Sequence, residues 1–281
     1  MRFDDILLTV DFDRTLTAPD STIPQKNIEA IEYFTANGGA FTVNTGRGVA
    51  TFWNYLDTIP ANVPFLLYNG SAAYEKGQLT RLRTIDLDLW QTIEEMRSLF
   101  PDQNLEIQGT QIHYLVDARQ EMLDLYENMG WRGRKAVLGE EIGPFLKFAI
   151  FGRAHEPMVS GMFSSTEEEL RRFDEIEETI RNMYGDKVEV FRAAPRIVDV
   201  HAKGVSKLEA ARALQAKLGR KILVCVGDAK NDIQMLDGAD YAFCPADAEL
   251  KDHYENVCPC GEGAVADVIY NKLPEILKNA P

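Results

Sequence analysis

The feature of this chain that most constrains its fold is a regular alternation of short apolar runs with amphipathic stretches. The runs "ILLTVDF", "AFTVNTGR" and "PFLLYNG" have the length of strands, and stretches with apolar residues at helical spacing follow the first two. After residue 200 the alternation returns with "GVSKLEAARALQAKLG", "KILVCVGDAKND" and "YAFCP". Strands that alternate with helices form a parallel sheet with helices on both faces. The pattern therefore predicts an α/β fold with a Rossmann-like, doubly wound parallel sheet as its core.

The alternation changes in the middle of the chain. The segments "NLEIQGTQIHYLVDA" and "KVEVFRAAPRIVDVHA" each contain two strand-like runs close together in sequence, with helical stretches between the segments. Strands joined by short turns pair in the antiparallel direction. We therefore predict a core formed by residues 1–80 and 201–281, with an inserted α+β domain over residues 81–200.

Three of the predicted parallel strands end in polar residues. Because the carboxyl ends of parallel strands meet at one edge of a sheet, where ligands bind, these side chains are expected to lie together. Carboxylate pairs at strand ends are suited to Mg²⁺, which prefers oxygen ligands. A polar turn would explain the polar residues after any one of these strands. It is an improbable explanation for polar residues after all three strands at one edge. The residues are Asp11 and Asp13, Thr45, and Asp228 with Asn231 and Asp232.

Charge and hydropathy exclude some classes of partner. With 30 basic and 44 acidic residues the chain has a formal net charge of -14, which argues against non-specific binding to nucleic acid. A small anionic substrate would need a local positive group, either a metal ion or a lysine. No apolar run approaches the roughly 20 residues of a membrane helix, and acidic residues stand where a signal peptide would be basic. We expect a cytoplasmic protein without membrane partners, and the oligomeric state stays open.

Four short motifs give a family resemblance. "DFDRTLT", "NTGR", "GVSK" and "GDAKND" resemble, in this order, the motifs of the haloacid dehalogenase (HAD) superfamily of phosphatases. The inserted domain resembles the C2-type cap of the Cof-like subclass, and "YNGSAAY" is similar to the segment that precedes that cap. The resemblance implies the HAD fold and hydrolysis through an aspartyl-phosphate, with a cap that closes over the site.

The resemblance also implies a role for each matching residue. Asp11 would be the nucleophile and Asp13 the general acid and base, while Thr45 and Lys207 would bind the phosphoryl group. Mg²⁺ would be held by Asp11, Asp228, Asp232 and the main-chain carbonyl of Asp13, with Asn231 supporting the ligands. The residues expected to contact the substrate are Gly46, Arg47, Asn69 and Gly70.

Some positions depart from the family pattern or leave alternatives open. Arg14 stands where glycine is usual, so it is either tolerated in the turn or adds a positive group near the substrate. Leu208 follows Lys207 where glycine is usual, which makes Lys203 a rival for the lysine role. His113 and Arg192 are further candidates for the substrate pocket, with a structural role as the equal alternative.

The predicted function is a Mg²⁺-dependent phosphomonoester hydrolase that acts on a small phosphorylated metabolite of the sugar phosphate kind. One alternative is a phosphomutase of the phosphomannomutase type, although the fourth motif of those enzymes is longer. Another is a non-catalytic phosphosugar-binding protein, which would be expected to have lost its nucleophile or a metal ligand. The identity of the metabolite depends on the arrangement of cap side chains and cannot be predicted from the motifs.

Overall fold

The structure, a computed structural model, describes residues 1–152 and 166–279 and contains two sets of strands. The strands are β1 (Ile6–Val10), β2 (Ala40–Val43), β3 (Phe65–Leu67), β4 (Ala72–Glu75), β5 (Gln78–Thr80), β6 (Gln103–Gly109), β7 (His113–Val116), β8 (Gly133–Lys135), β9 (Phe145–Gly152), β10 (Val188–Ala194), β11 (Ile197–Ala202), β12 (Ile222–Val226), β13 (Tyr241–Pro245) and β14 (Glu255–Val257).

Helices separate most of these strands. They are α1 (Gln25–Ala36), α2 (Val49–Phe52), α3 (Leu89–Leu99), α4 (Gln120–Asn128), α5 (Glu167–Tyr184), α6 (Lys207–Leu218), α7 (Ile233–Asp237), α8 (Ala264–Asp267) and α9 (Leu273–Asn279). Within residues 1–152 and 166–279, no helix is both long enough and apolar enough to cross a bilayer.

The first compact unit contains the parallel sheet and comprises Met1–Gly46, Asn54–Thr80 and Ser206–Pro281. Its five strands lie in the order β14-β13-β12-β1-β2, and every neighbouring pair is parallel. One face of β1 packs through Leu7 into a cluster with residues of α6 and α7. Ile6 and Leu8 point to the other face and are also fully buried, as expected for a sheet covered on both sides.

Strand β3 extends this unit in two directions. Leu66 forms a parallel bridge with Asn44 just beyond β2, and β3 also begins the antiparallel sheet β3-β4-β5. The residues at the end of β3 are thereby held beside the end of β2.

The second compact unit comprises Arg47–Trp53 and Arg81–Val205 and contains a six-stranded sheet. The strand order is β10-β11-β9-β6-β7-β8, and all neighbouring pairs are antiparallel except β7 and β8. One face of the sheet forms an apolar core with residues of α3 and α5, among them Ile93 and Phe173. The short helix α2 joins this unit through a hydrogen bond from the Arg132 amide to the Ala50 carbonyl (2.9 Å).

The predicted fold class is confirmed: a parallel α/β sheet is combined with a separate α+β domain. One predicted helix is shorter than expected. The stretch "GVATFWNYLDTI" forms an α-helix only over Val49–Phe52, and a single tighter turn, Trp53–Tyr55, follows. The β-branched and aromatic residues in this stretch have low helix propensity, so its length is set by tertiary contacts.

Candidate active site

The ends of three neighbouring strands form the candidate site in the first unit. Asp11 follows β1, Asn44 follows β2 and Asp228 lies two residues beyond β12. The Asp11 amide donates to the Val226 carbonyl (2.8 Å), and the Asn44 amide donates to the Val10 carbonyl (2.8 Å). Because the order β12-β1-β2 is parallel throughout, the polar residues after each strand converge at one edge.

Three carboxylates lie close together at this edge. Each of Asp11, Asp228 and Asp232 offers an oxygen, and these oxygens all lie within 4.8 Å of one another. Asp232 is held in place because its Oδ2 accepts the amides of Asp228 (3.1 Å) and Ala229 (3.2 Å). The Thr15 hydroxyl donates to Asp228 Oδ1 (3.3 Å). All three carboxylates are buried, and such an oxygen set is suited to a hard divalent cation.

Lys207 provides the positive charge within this cluster. Its Nζ donates to Asp11 Oδ1 (2.5 Å) and to Asp232 Oδ1 (2.6 Å), and the residue is 3% exposed. The Asn44 side chain donates to the Lys207 carbonyl (2.8 Å), which anchors the first residue of α6. The rival lysine, Lys203, is exposed in the second unit, where its Nζ donates to the Gly185 carbonyl (2.8 Å).

The clustered charges change the protonation of the carboxyl groups. Burial, with the neighbouring charges of Asp232 and Asp13, raises the pKa of Asp11 to about 7 against the opposing effect of Lys207. Burial and the charges of Asp11 and Asp232 raise the pKa of Asp228 to about 8. Burial alone would lower the pKa of Lys207, but the two adjacent carboxylates reverse this and raise it. The site therefore has more negative charge than one lysine balances, a situation that a bound cation would relieve.

Asp13 and Arg14 lie in a wide turn, Phe12–Leu16, directly after Asp11. The Asp13 side chain is half-buried, and its carboxylate is outside the group of three close carboxylates. Arg14 is exposed and adopts a left-handed conformation, with φ of 58°. This backbone conformation favours glycine, which is the physical reason that arginine is an unusual residue here.

The loops after β2 and β3 pack tightly against each other. The Thr45 amide donates to the Leu66 carbonyl (3.0 Å), and the Asn69 amide donates to the Thr45 carbonyl (2.9 Å). A Cβ on Gly46 would lie 3.0 Å from Asn69 Oδ1. Gly70 has φ of +94°, and a Cβ there would lie 2.6 Å from the Ser206 carbonyl oxygen. Glycine is needed at position 70, where the Ser206 backbone occupies the space of a Cβ, whereas a Cβ at position 46 would require the Asn69 side chain to shift slightly.

The family profile of haloacid dehalogenase-like hydrolases matches residues 8–269. The chain belongs to this family. The predicted superfamily is therefore confirmed, and so is the prediction that the chain is a hydrolase.

Several proteins are similar to this chain. The Haemophilus influenzae protein named "Putative phosphatase" is 24% identical over 258 residues, which cover 89% of this chain and 87% of that protein. A haloacid dehalogenase-like hydrolase from B. subtilis has a similar solved structure, with a TM-score of 0.76, 18% identity and coverage of 94% and 99%. A structure described as that of a subclass IIB sugar phosphatase has a TM-score of 0.74, 19% identity and coverage of 97% and 98%. At these identities the structural likeness concerns the fold.

Of the remaining predicted residues of this HAD hydrolase, Asn231 belongs to the first unit, whereas Arg47 and Arg192 belong to the second. Asn231 lies half-buried in the turn Lys230–Asp232, next to the acidic cluster in sequence. Arg47 belongs to the second unit, where its guanidinium donates to the Thr51 carbonyl (3.2 Å). Arg192 forms ion pairs with Asp174 (2.8 Å) and Glu177 (3.2 Å), which favour the structural alternative for this residue.

Two residues of the site in this HAD hydrolase had no predicted role. Asn44 and Thr15 are fully buried and bond to the Lys207 carbonyl and to Asp228. Their signal in the sequence is weak, because a polar residue after an apolar run is also the usual composition of a turn. They differ from ordinary turn residues only in bonding to partners more than a hundred positions away, and the sequence does not show these partners.

Proposed function

We propose that this HAD hydrolase is a Mg²⁺-dependent phosphomonoester hydrolase that acts on small phosphorylated metabolites of the sugar phosphate class. The observation that supports this proposal most strongly is the pairing of Asp11 with Lys207, beside two further buried carboxylates and two residues from Asp13. This arrangement combines a nucleophile, a positive group for phosphoryl oxygens and a second carboxyl group for proton transfer.

In the proposed reaction, an Asp11 oxygen attacks phosphorus while the bond from phosphorus to the substrate alcohol breaks. Asp13 gives its proton to the departing alcohol oxygen, and Asp11 becomes an aspartyl-phosphate. Asp13 then takes a proton from water as the water oxygen attacks phosphorus. This second step releases inorganic phosphate and restores the Asp11 carboxylate.

The acidic cluster has the chemistry of a magnesium site. Its three carboxylate oxygens are buried, mutually close and repelled by one another, and all are ligands of the type that Mg²⁺ takes. We infer that Asp11, Asp228 and Asp232 would hold the ion with the Asp13 carbonyl, and that Asn231 supports them. When bound, the ion supplies positive charge that offsets the charge of the phosphoryl oxygens.

The other predicted site residues keep proposed roles. Thr45 and Gly46 would donate hydrogen bonds to the phosphoryl group, and the Lys207 ammonium would neutralise its charge. Asn69, beside Gly46, and Gly70 remain proposed substrate contacts, and the absence of a Cβ at Gly70 lets the loop after β3 approach Ser206 closely. Arg47 remains a proposed substrate contact.

The sugar phosphate class is proposed because one protein of the same fold is described as a sugar phosphatase and the Haemophilus relative is named a phosphatase. The substrate class depends on this likeness rather than on a contact in the site. A panel of substrates is therefore needed to test it.

The test is phosphate release from a panel of sugar phosphates, with Mg²⁺ or EDTA, for the unmodified enzyme and for Asp11→Asn. We expect release that requires the metal, and a loss of at least about 10³-fold in Asp11→Asn because the nucleophile is removed. Asp57→Asn, which changes an exposed carboxylate of the same unit, should keep full activity.

Substantial release by a pure Asp11→Asn preparation would contradict the nucleophile role. Transfer of phosphate between two positions of one sugar, without release, would contradict hydrolysis and favour a mutase. No release and no transfer with any member of the panel would contradict the proposed substrate class.

A further inference from the structure

Asn44 connects the end of β2 to the first residue of α6. Its side-chain Nδ2 donates to the Lys207 carbonyl (2.8 Å), and Asn44 is 0% exposed. Asn44 also lies beside Asp11, because the residues before them are register partners in β2 and β1. The hydrogen bond therefore joins the strand end next to Asp11 to the residue whose ammonium pairs with Asp11.

The position of that ammonium depends on where α6 begins. Ser206 is the N-cap, its side chain accepts the Glu209 amide (3.1 Å), and Lys207 is the first helical residue. This cap satisfies the helix end itself. The Asn44 hydrogen bond adds a directional contact between this helix end and the edge of the parallel sheet.

The site allows little freedom in the placement of Lys207. Its Nζ lies between two carboxylates, 2.5 Å from Asp11 Oδ1 and 2.6 Å from Asp232 Oδ1. Hydrogen bonds of this kind weaken steeply outside a narrow range of distance and angle. A shift of α6 by about 1 Å would break at least one of them, and misplacement of this size can cost a factor of about 10² in rate.

The Asn44 side chain is poorly suited to a purely stabilising role. Its Oδ1 is buried and has no hydrogen-bond partner among residues 1–152 and 166–279. An unfilled buried acceptor offsets much of the stability that one hydrogen bond contributes. A leucine of similar volume would leave no such acceptor, but it could not bond to the Lys207 carbonyl.

The chemistry of the contact explains why an amide occupies this position. The Lys207 carbonyl accepts hydrogen bonds, so its partner must donate. An ionised aspartate in place of Asn44 would only accept, and it would add negative charge beside three buried carboxylates. Asparagine supplies the donor without a charge.

We propose that Asn44 is a positioning residue for Lys207. By bonding to the Lys207 carbonyl, it holds the start of α6 where the ammonium lies between Asp11 and Asp232. The kinetic consequence of this role rests on the proposed phosphatase function, whereas the placement of the ammonium does not.

The experiment is ¹H–¹⁵N NMR of the full chain with its lysines labelled at Nζ. The Lys207 signal is assigned by its loss in Lys207→Arg, which keeps the charge. Protons of a buried, paired ammonium exchange with water only when the pair opens. We expect Asn44→Leu to accelerate this exchange at least about tenfold, the equivalent of one lost hydrogen bond. Asn44→Ala, which introduces no larger side chain, should do the same.

Asn62→Leu is the matched control, because it removes an asparagine that bonds to the backbone at the opposite end of β2. The Asn62 amide donates to the Gly39 carbonyl (2.8 Å), and its Oδ1 accepts the Phe41 amide (2.9 Å). This substitution should destabilise the first unit yet leave the exchange rate at Lys207 unchanged. A general loosening of the fold would accelerate exchange in both variants.

Unchanged exchange at Lys207 in both Asn44 variants would overturn the proposal, as would equal acceleration in Asn62→Leu. Phosphate release is measured in parallel, and kcat/KM for a sugar phosphate should fall about 10²-fold in Asn44→Leu but not in Asn62→Leu. If the unmodified chain releases no phosphate, the phosphatase proposal fails, and the NMR result still decides the role of Asn44.

Discussion

Lys207 and Asp11 form the central ion pair of the candidate site, and both are almost completely buried. A buried charge is costly unless it is paired, and Lys207 is paired with two carboxylates at once. The first unit therefore depends on this lysine for folding as well as for the proposed chemistry.

We expect Lys207→Met to reduce the free energy of unfolding by about 3 kcal/mol at about pH 9, because the carboxylates lose their counter-charge. The loss should be smaller at about pH 5.5, where Asp11 and Asp228 can take up protons at their raised pKa values. Urea unfolding at both pH values measures this difference. Lys203→Met, at an exposed lysine, should change stability by less than about 0.5 kcal/mol, and an equal effect of both substitutions would contradict this account.

Asp13 has a role in the proposed mechanism that depends on the leaving group. Asp13→Asn cannot protonate a departing alcohol, so turnover of a sugar phosphate should fall by about 10²- to 10⁴-fold. A phosphate ester of p-nitrophenol needs little protonation of its leaving group, so formation of the aspartyl-phosphate from it should be much less affected. Rapid-mixing measurements of p-nitrophenol release would show this, and equal losses for both esters would exclude Asp13 as the general acid.

At the scale of elements, the loop after β3 is shaped by close contact with the start of α6. Tyr68 and Asn69 both have positive φ, near 54° and 52°, and Gly70 follows at +94°. Three consecutive residues in left-handed backbone are costly, and packing against Ser206 and Ala210 holds the loop in this form.

We expect Gly70→Ala to destabilise the protein by about 3 kcal/mol, through left-handed strain and overlap with the Ser206 carbonyl. Gly77 is a matched control, since it also has positive φ, +83°, but no atom lies within 4 Å of the position that a Cβ would take there. Gly77→Ala should cost only about 1 kcal/mol of backbone strain. Urea unfolding measures the loss of unfolding free energy in both variants. Similar losses would show that overlap with the Ser206 carbonyl does not destabilise Gly70→Ala.

At the scale of the whole molecule, the raised pKa values of Asp11 and Asp228 make the free energy of unfolding depend on pH and on metal binding. The folded state holds protons on Asp11 and Asp228 up to about pH 7 and about pH 8, whereas the unfolded chain releases them near pH 4. In this window the folded state binds more protons, so the free energy of unfolding contributed by these groups falls as pH rises from about 4 to about 8.

The expected outcome is that Mg²⁺ raises the unfolding temperature more at about pH 9 than at about pH 5.5, because protons compete with the ion for the same carboxylates. Thermal unfolding with Mg²⁺ or EDTA at both pH values measures this. In Asp228→Asn the magnesium effect should largely disappear at both values. A magnesium effect that is independent of pH, or that survives this substitution, would contradict the proposed metal site.

Much of the architecture and part of the site could be predicted from local patterns. Alternation of strands and helices predicted the parallel sheet, because the period of apolar residues depends only on neighbours in sequence. The polar residues after β1, β2 and β12 indicated one site, since parallel strands bring their carboxyl ends to one edge. The structure brings Asp11, Asp228, Asp232 and Lys207 together at that edge.

The sequence by itself therefore determined the fold class and the residues that end its central strands. Only the tertiary structure shows that Lys207, and not Lys203, lies beside Asp11, because this contact joins residues 196 positions apart. The same is true of the group Glu106, His113 and Tyr126, whose contacts follow from strand register and helix packing. Local sequence patterns indicate which residues are buried. The hydrogen-bond partner of a buried polar group depends instead on how distant segments of the chain pack together.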